Sequence, residues 1–287
     1  MAKKLAILLI VLFFSVCAVT LGYFYFFTTF PNVEEEINLN EAAVKELRIR
    51  QTSGLIHVEG EPRDNMQFTV SKIVRPRLPY FATGALAQIG FNVTPQTDAL
   101  DINITAITSW RGDALVDMQI MAPPSTQVVA ELGQGNVNLI NLEAGISVTH
   151  RGEGTIVLAN LSGNVSVVAE SAEIRADFIG GDQPVKIDLR NGNLLINMHN
   201  PQPGPTNITL SEGAAVFNFH PETNALLTYT STGTVFVPIL SETTPPRPSD
   251  GNPVAMKIGQ GGAPISIQAG SADLTLAFMT ENLPENE

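Results

Sequence analysis

From Thr126 onward the chain repeats itself about every 20 residues, and this repetition restricts its possible folds more than any other feature. Aligned on a central turn residue, "VVAELGQGNVNLINL" turns near Gly135 and "ISVTHRGEGTIVLANL" near Gly154. "VSVVAESAEIRADFI" turns near Ala172, "VKIDLRNGNLLINMHN" near Gly192, "ITLSEGAAVFNFH" near Gly213 and "LLTYTSTGTVFVPIL" near Gly233. These turns are 19, 18, 20, 21 and 20 residues apart. After a Pro-rich insertion, "SETTPPRPSDGNP", a further unit is expected near Gly262, and "ADLTLAF" reads as the last strand.

Each unit holds two short strands around a tight turn. Apolar residues alternate within them, as in Val165/Val167/Ala169, Val185/Ile187/Leu189 and Leu194/Ile196/Met198, which puts one face inward. One unit cannot bury that face alone, but stacked units can. The expectation is an all-β fold, a β-solenoid of the parallel β-helix type with about 20 residues per rung. Evenly spaced strands with glycine turns also fit an antiparallel sandwich of hairpins. Glycine suits the turn because a sharp reversal often needs positive φ. Ala172 breaks the rule, which implies another turn type there or an alignment off by one.

The first 27 residues stand apart. Lys3 and Lys4 precede "LAILLIVLFFSVCAVTLGYFYFF", Leu5 to Phe27, which carries no charge. That length predicts one N-terminal transmembrane helix retained as a signal anchor, with its N-terminus cytoplasmic and the rest extracytoplasmic. A cleaved signal peptide is the alternative, though its apolar core would be shorter. A lipid anchor on Cys17 is disfavoured by the bulky Val16 before it. The organisation read along the chain is an anchor at 1–27, a linker at 28–41 and a β-rich part at 42–125 with an insertion at 76–90. The regular repeat at 126–278 follows, with the Pro-rich insertion at 241–253, and then a polar tail at 279–287. All 28 acidic residues follow the apolar stretch, against all but two of the 16 Lys and Arg, so this part repels nucleic acid. Cys17 is the only cysteine, which leaves the remainder without a disulfide.

With these units in view, the chain resembles the bacterial adhesin-like β-strand-repeat family of unknown function, which includes auto-transporter adhesin head-like domains. The resemblance runs from about Glu46 to Phe278. It is clearest in "VDMQIMAPPSTQVVAELGQGNVNLINLEAGISVTHRGEGTIVLANLSGNVSV", where a strand ending in Pro precedes rungs carrying Gly-x-Val or its equivalent. It implies a β-solenoid, often tethered to a membrane, and brings no catalytic residues.

Chemical motifs are sparse. Gly133-x-Gly135 lacks the third glycine of a dinucleotide fingerprint and leads into a strand, so no nucleotide is expected. Asn197-x-His199 and Asn218-x-His220 recur 21 residues apart, which makes His199 and His220 weak candidates for a metal site; a polar ladder at a turn is the plainer reading. Asp177, Asp182 and Asp188, near Arg175, Lys186 and Arg190, raise the prospect of a polysaccharide-cleaving acidic groove, which needs carboxylates converging on one face. Otherwise they are a solvated surface. Arg111-Gly112-Asp113 matches the integrin tripeptide, a pattern that is also ordinary turn text. Asn-x-Ser/Thr sites occur at Asn92, Asn103, Asn160, Asn164 and Asn207.

The leading expectation is therefore a non-enzymatic, membrane-anchored surface or envelope interaction module that binds a protein or glycan, without catalytic residues or cofactor. The insertions Pro76–Gly90 and Ser241–Pro253, or the outward strand faces, are the expected contact regions. The alternatives are a carbohydrate-active β-helix enzyme and an extracytoplasmic sensor arm.

Overall fold

The computed structural model describes residues 33–76, 84, 86–106, 112–178, 182–238 and 252–279. They form one mixed sheet of 17 strands. In chain order these are β1 (Val33–Ala42), β2 (Glu46–Gly60), β3 (Asn65–Pro76), β4 (Gly90–Pro95), β5 (Ala99–Thr105) and β6 (Gly112–Ala122). Next come β7 (Gln127–Ile140), β8 (Ile146–His150), β9 (Thr155–Ala159), β10 (Val165–Phe178), β11 (Val185–Met198) and β12 (Thr206–Phe219). The last are β13 (Ala225–Ser231), β14 (Val235–Phe236), β15 (Val254–Ile258), β16 (Ala263–Ala269) and β17 (Asp273–Phe278).

The long strands are bent into two arms. In β11, Ile187 and Leu189 are buried before the bend and Leu194, Ile196 and Met198 after it. The interval of five between Leu189 and Leu194 shifts the alternation by one, so both arms turn their apolar side toward the same core. Through the first arm runs a column of Val148, Val167, Ile187, Ile208, Ile267 and Tyr229; through the second runs Val137, Ile156, Ile174, Leu194, Ala215 and Leu274. None of these twelve side chains is more than 1% exposed. The arms face each other across this core like the halves of a sandwich.

Glycines mark the bend. Gly54 faces Gly135, and Ala172, Gly192 and Gly213 face one another in turn. Gly192 has φ +140° and Gly213 φ +119°, and a Cβ at either would strike the corner carbonyl of the layer beneath. Ala172 is in register with Gly192 and has no positive φ, so its corner is of another type.

The order of layers departs from the order of the chain. From one end to the other the parallel layers are β5 with β6, then β2, β7, β8 with β9, β10, β11, β12, β16 with β17, and β13 with β14. β2 fills a gap between strands that come after it. β16 and β17 fill a gap between strands that come before them. Antiparallel strands cover both ends: β3 lies on β6, β1 on β3, β4 on β5, and β15 on β13.

The expected fold class, a β-solenoid behind a transmembrane helix, is corrected on these grounds. Winding in chain order fails at both ends, and antiparallel strands enter the sheet there. The all-β class remains, as a sandwich-like mixed sheet. The unit expected near Gly262 is also displaced. Gly259–Gly262 joins β15 to β16, and the corner that stacks on Gly213 is Ala272. The retained transmembrane anchor, and the single-pass membrane location read with it, are corrected too. No helix among the described residues is long and apolar enough to cross a membrane, because apolar residues here alternate along strands. Residues 1–27, from which that expectation came, lie outside the described residues. Residues 33–41, read as linker in the sequence, belong to β1.

Candidate interaction face

The first arm presents two outward columns in register. One runs Ser147, Ser166, Lys186, Asn207, Ser266, Thr228, and the other Thr149, Val168, Asp188, Thr209, Gln268, Thr230. All twelve side chains are half-buried or exposed. Residues in a column recur at about 4.8 Å, and the columns are two residues, about 6.6 Å, apart. The result is a lattice mostly of hydroxyls and amides, groups that both donate and accept hydrogen bonds, interrupted by the exposed Val168. Lys186 and Asp188, on one strand, are the only charges among these twelve. Past Ser147 and Thr149 the same columns continue through Val129 and Glu131 to Arg48 and Arg50 and then Asp101 and Asn103, where Arg50 pairs with Glu131 and Arg48 with Asp101.

The second arm's outward face is different. Val157, Arg175, Leu195, Val216, Thr275 and Phe236 occupy one column, and Phe236 is 63% exposed. Beside it runs an amide ladder. Asn218 Nδ2 donates to Asn197 Oδ1 at 2.8 Å, and Asn197 Nδ2 donates to Asp177 Oδ1 at 2.6 Å. Asn160 donates in the same way to Asn141 at 2.8 Å.

The candidate residues fall into place against this frame. His199 Nε2 lies 3.3 Å from Asp177 Oδ1, while His220 Nδ1 accepts the backbone N–H of Glu222 at 3.1 Å. The two histidines thus take separate partners. Among the described residues no group of three or more His, Cys, Asp or Glu is placed to hold a metal ion. Asp177 and Asp188 belong to different arms, so they do not share a face. Asp182 lines an open groove on the loop side with Gln202, Asn224 and Gln260, apart from both. Asp113 is in β6 opposite Arg75, and Arg111 lies outside the described residues, as does most of Ser241–Pro253. Of the other insertion, residues 77–83 and 85 also lie outside; Gly84 and Leu86 are helical. Asn92, Asn103 and Asn207 are strand residues, and Asn160 has a φ of 51° in a turn.

Sequence reasoning missed a set of buried polar residues at the inner corner. Gln51 Nε2 donates to Val116 O at 2.6 Å, His150 Nε2 contacts Gly135 O at 2.8 Å, and Ser231 Oγ donates to Ala272 O at 2.9 Å. Each reaches the corner carbonyl of a neighbouring layer, which a buried chain must satisfy. The signal was faint: a polar residue at an inward position two to four places before a corner, in "QTSG", "HRGEG" and "STG".

Two carboxylates feel their surroundings. Burial pushes the Asp117 carboxyl above its usual range, and Leu55 N–H, donating at 3.1 Å, opposes the shift; nearby Glu34 adds to it and Arg75 subtracts. The Arg48 guanidinium, donating to Glu46 at 2.8 and 2.9 Å, holds that carboxyl below its usual range.

No family model and no curated protein sequence matches the chain. Solved structures do. One is a candidate cell adhesion protein from Clostridium sporogenes, 12% identical, with 87% of this chain and 100% of that chain covered and a TM-score of 0.38. A candidate adhesin from Parabacteroides distasonis is 12% identical, covering 87% and 97%, at TM-score 0.35. A candidate lipid-binding protein from the same organism is 7% identical, covering 86% and 97%, at TM-score 0.26. The chain is similar to candidate adhesins. That is the class its sequence resembles, and likeness at these scores carries no argument beyond it.

Proposed function

We propose that this chain is a non-enzymatic, adhesin-like binding module whose first-arm face takes an uncharged, hydroxyl-rich partner, a neutral glycan. The observation that supports it is the pair of outward columns. A lattice whose groups both donate and accept is matched by a partner whose groups do the same, and sugar hydroxyls do. The charges in these columns balance by sign, Lys186 beside Asp188, Arg50 with Glu131 and Arg48 with Asp101, which leaves little net charge to attract an ionic ligand. The separation of Asp177 and Asp188 onto different arms supports a binding role over glycan cleavage, which needs two carboxylates about one bond.

A panel of neutral and acidic oligosaccharides, titrated against the full chain, tests this. Neutral glycans are expected to bind. Thr209→Lys, in the middle of the lattice, should weaken them about tenfold or more, since one lost polar contact of about 1.4 kcal/mol has that effect. Thr275→Lys, on the second arm, should leave binding unchanged. Absence of glycan binding, or equal loss with both variants, overturns the reading.

A further inference from the structure

The C-terminal layer is a wedge. β12 ends at Phe219 and β13 begins at Ala225, yet the two strands are each paired to β16 and not to one another. They flank a slot one strand wide, filled by β16 and β17 from later in the chain. β16 pairs with β12 from Thr206↔Ile265 to Leu210↔Ala269, and with β13 from Ala225↔Ala263 to Ser231↔Ala269. β17 pairs with β12 from Ala214↔Asp273 to Phe219↔Phe278, and with β14 at Leu274 and Thr275. The wedge buries Ile265, Ile267, Ala269, Ala272, Leu274 and Leu276, each at most 1% exposed.

The slot is set by what precedes the wedge. The short loop 220–224 spans two strand spacings, about 9.6 Å, where a step to the adjacent layer would span half that. Its own bonds hold it there: Thr223 N–H donates to His220 O at 2.9 Å and Asn224 N–H to Pro201 O at 2.8 Å. The wedge is reached through a four-residue hinge, Gly259–Gly262. Gly259 has φ +58° and Gly261 φ +81°, and Gln260 N–H donates to Asn224 Oδ1 at 2.7 Å. β13 is thus clasped between β15 outside and β16 inside, with the tight glycine hinge as the clip.

A slot whose walls and filler are separate segments does not distinguish its own filler from an identical one. The geometry points to a second copy of this chain as a partner. The two copies exchange residues 263–278, each placing β16 and β17 between the other's β12 and β13, with hinge 259–262 extended. Exchange of an identical element is a low-cost route to a dimer, and substitutions that strain a hinge loop promote it. An exchanged wedge buries the same side chains in the same register as in the closed monomer, so the balance is set by the hinge and by concentration.

Paired single-cysteine chains test this in a Cys17→Ser background, which removes the chain's only cysteine. Thr209 and Gln268 are register partners on the outward face. Full-length T209C and Q268C chains, unfolded together and refolded at high concentration, should form a heterodimer with a short bismaleimide, whereas chains mixed after folding should not. Gly259→Ala with Gly261→Ala strains the closed hinge and should raise the dimer fraction about threefold or more. The double variant T209C/Q268C should crosslink internally in dilute monomer, which reports that the register is intact. Internal crosslinking with no heterodimer at any concentration overturns the exchange. A double variant that fails to crosslink overturns the register on which it rests. Absence of exchange leaves the glycan-binding face untouched, whereas a failed register would also remove Gln268 from its place beside Thr209 in that face.

Discussion

The middle of the stack and its two ends solve the same packing problem in opposite ways. From β7 to β12 each layer lies on the one just made, about 20 residues earlier, and pairing is local along the chain. At the ends the chain leaves a gap and returns to it. Arg50 of β2 meets Glu131 of β7 across 81 residues, and Ser271 bonds Ser211 across 60. Local pairings carry little loop-closure entropy and form early, whereas distant ones must wait for their walls. The period builds the stack, and the interleaved layers lock it.

The largest expected effect strikes the middle. Gly192→Val places a branched side chain at φ +140° against the backbone of Ala172, and should cost about 4 kcal/mol or more, enough to abolish cooperative melting or lower Tm by over 10 °C. If G192V melts like the parent, the corner column does not carry the stack. Next, Ile267→Ala in the wedge should cost about 2–4 kcal/mol. Its signature separates the regions: hydrogen exchange should quicken in β12–β17 while β7–β10 stay protected. Uniform loss of protection would mean that ends and middle open as one unit.

A smaller effect is expected from Asn197→Ala, which removes the amide between Asp177 and Asn218 and should cost about 0.5–1.5 kcal/mol in urea melts. The smallest belongs to Asp117, at the N-terminal end. Its folded carboxyl is raised, so the fold binds that proton more tightly than the unfolded chain does. The associated stability is present below the ordinary carboxylate range and is lost as pH climbs through the raised value. Asp117→Asn keeps an acceptor for Leu55 N–H and removes the buried charge. It should raise Tm by about 1–2 °C at neutral pH, and the gain should vanish in acid. A gain that persists in acid would point to packing and away from charge.

The same contrast separates what was legible in the chain from what was not. Alternation in "VKIDLRNGNLLINM" and the glycine at its centre are local consequences of strand period and backbone φ, and both are legible. Layer order is not. Nothing near Gly54 says that its stacking partner is Gly135 and not the next strand along, because one rung of alternating apolar residues pairs as well with another. The solenoid expectation failed there, by assuming that the next rung in sequence is the next in space. That the strands have an outward face followed from the same period, but the Ser and Thr columns did not, because they depend on layer order. The corner residues Gln51, His150 and Ser231 were hidden because each looked like one polar interruption of an apolar alternation.

The far end of the stack bears on assembly. β1, the outermost described strand on the second arm, carries Glu34, Glu35, Glu36 and Glu41, and β4, the outermost described strand on the first, ends in Pro95. Four carboxylates along one rim repel a like rim, and a proline withholds a donor from any strand laid beside it. That rim is a terminus in the polymer sense. Copies that exchange their C-terminal wedges reciprocally fill both slots and turn these described rims outward, so the exchange itself closes at two.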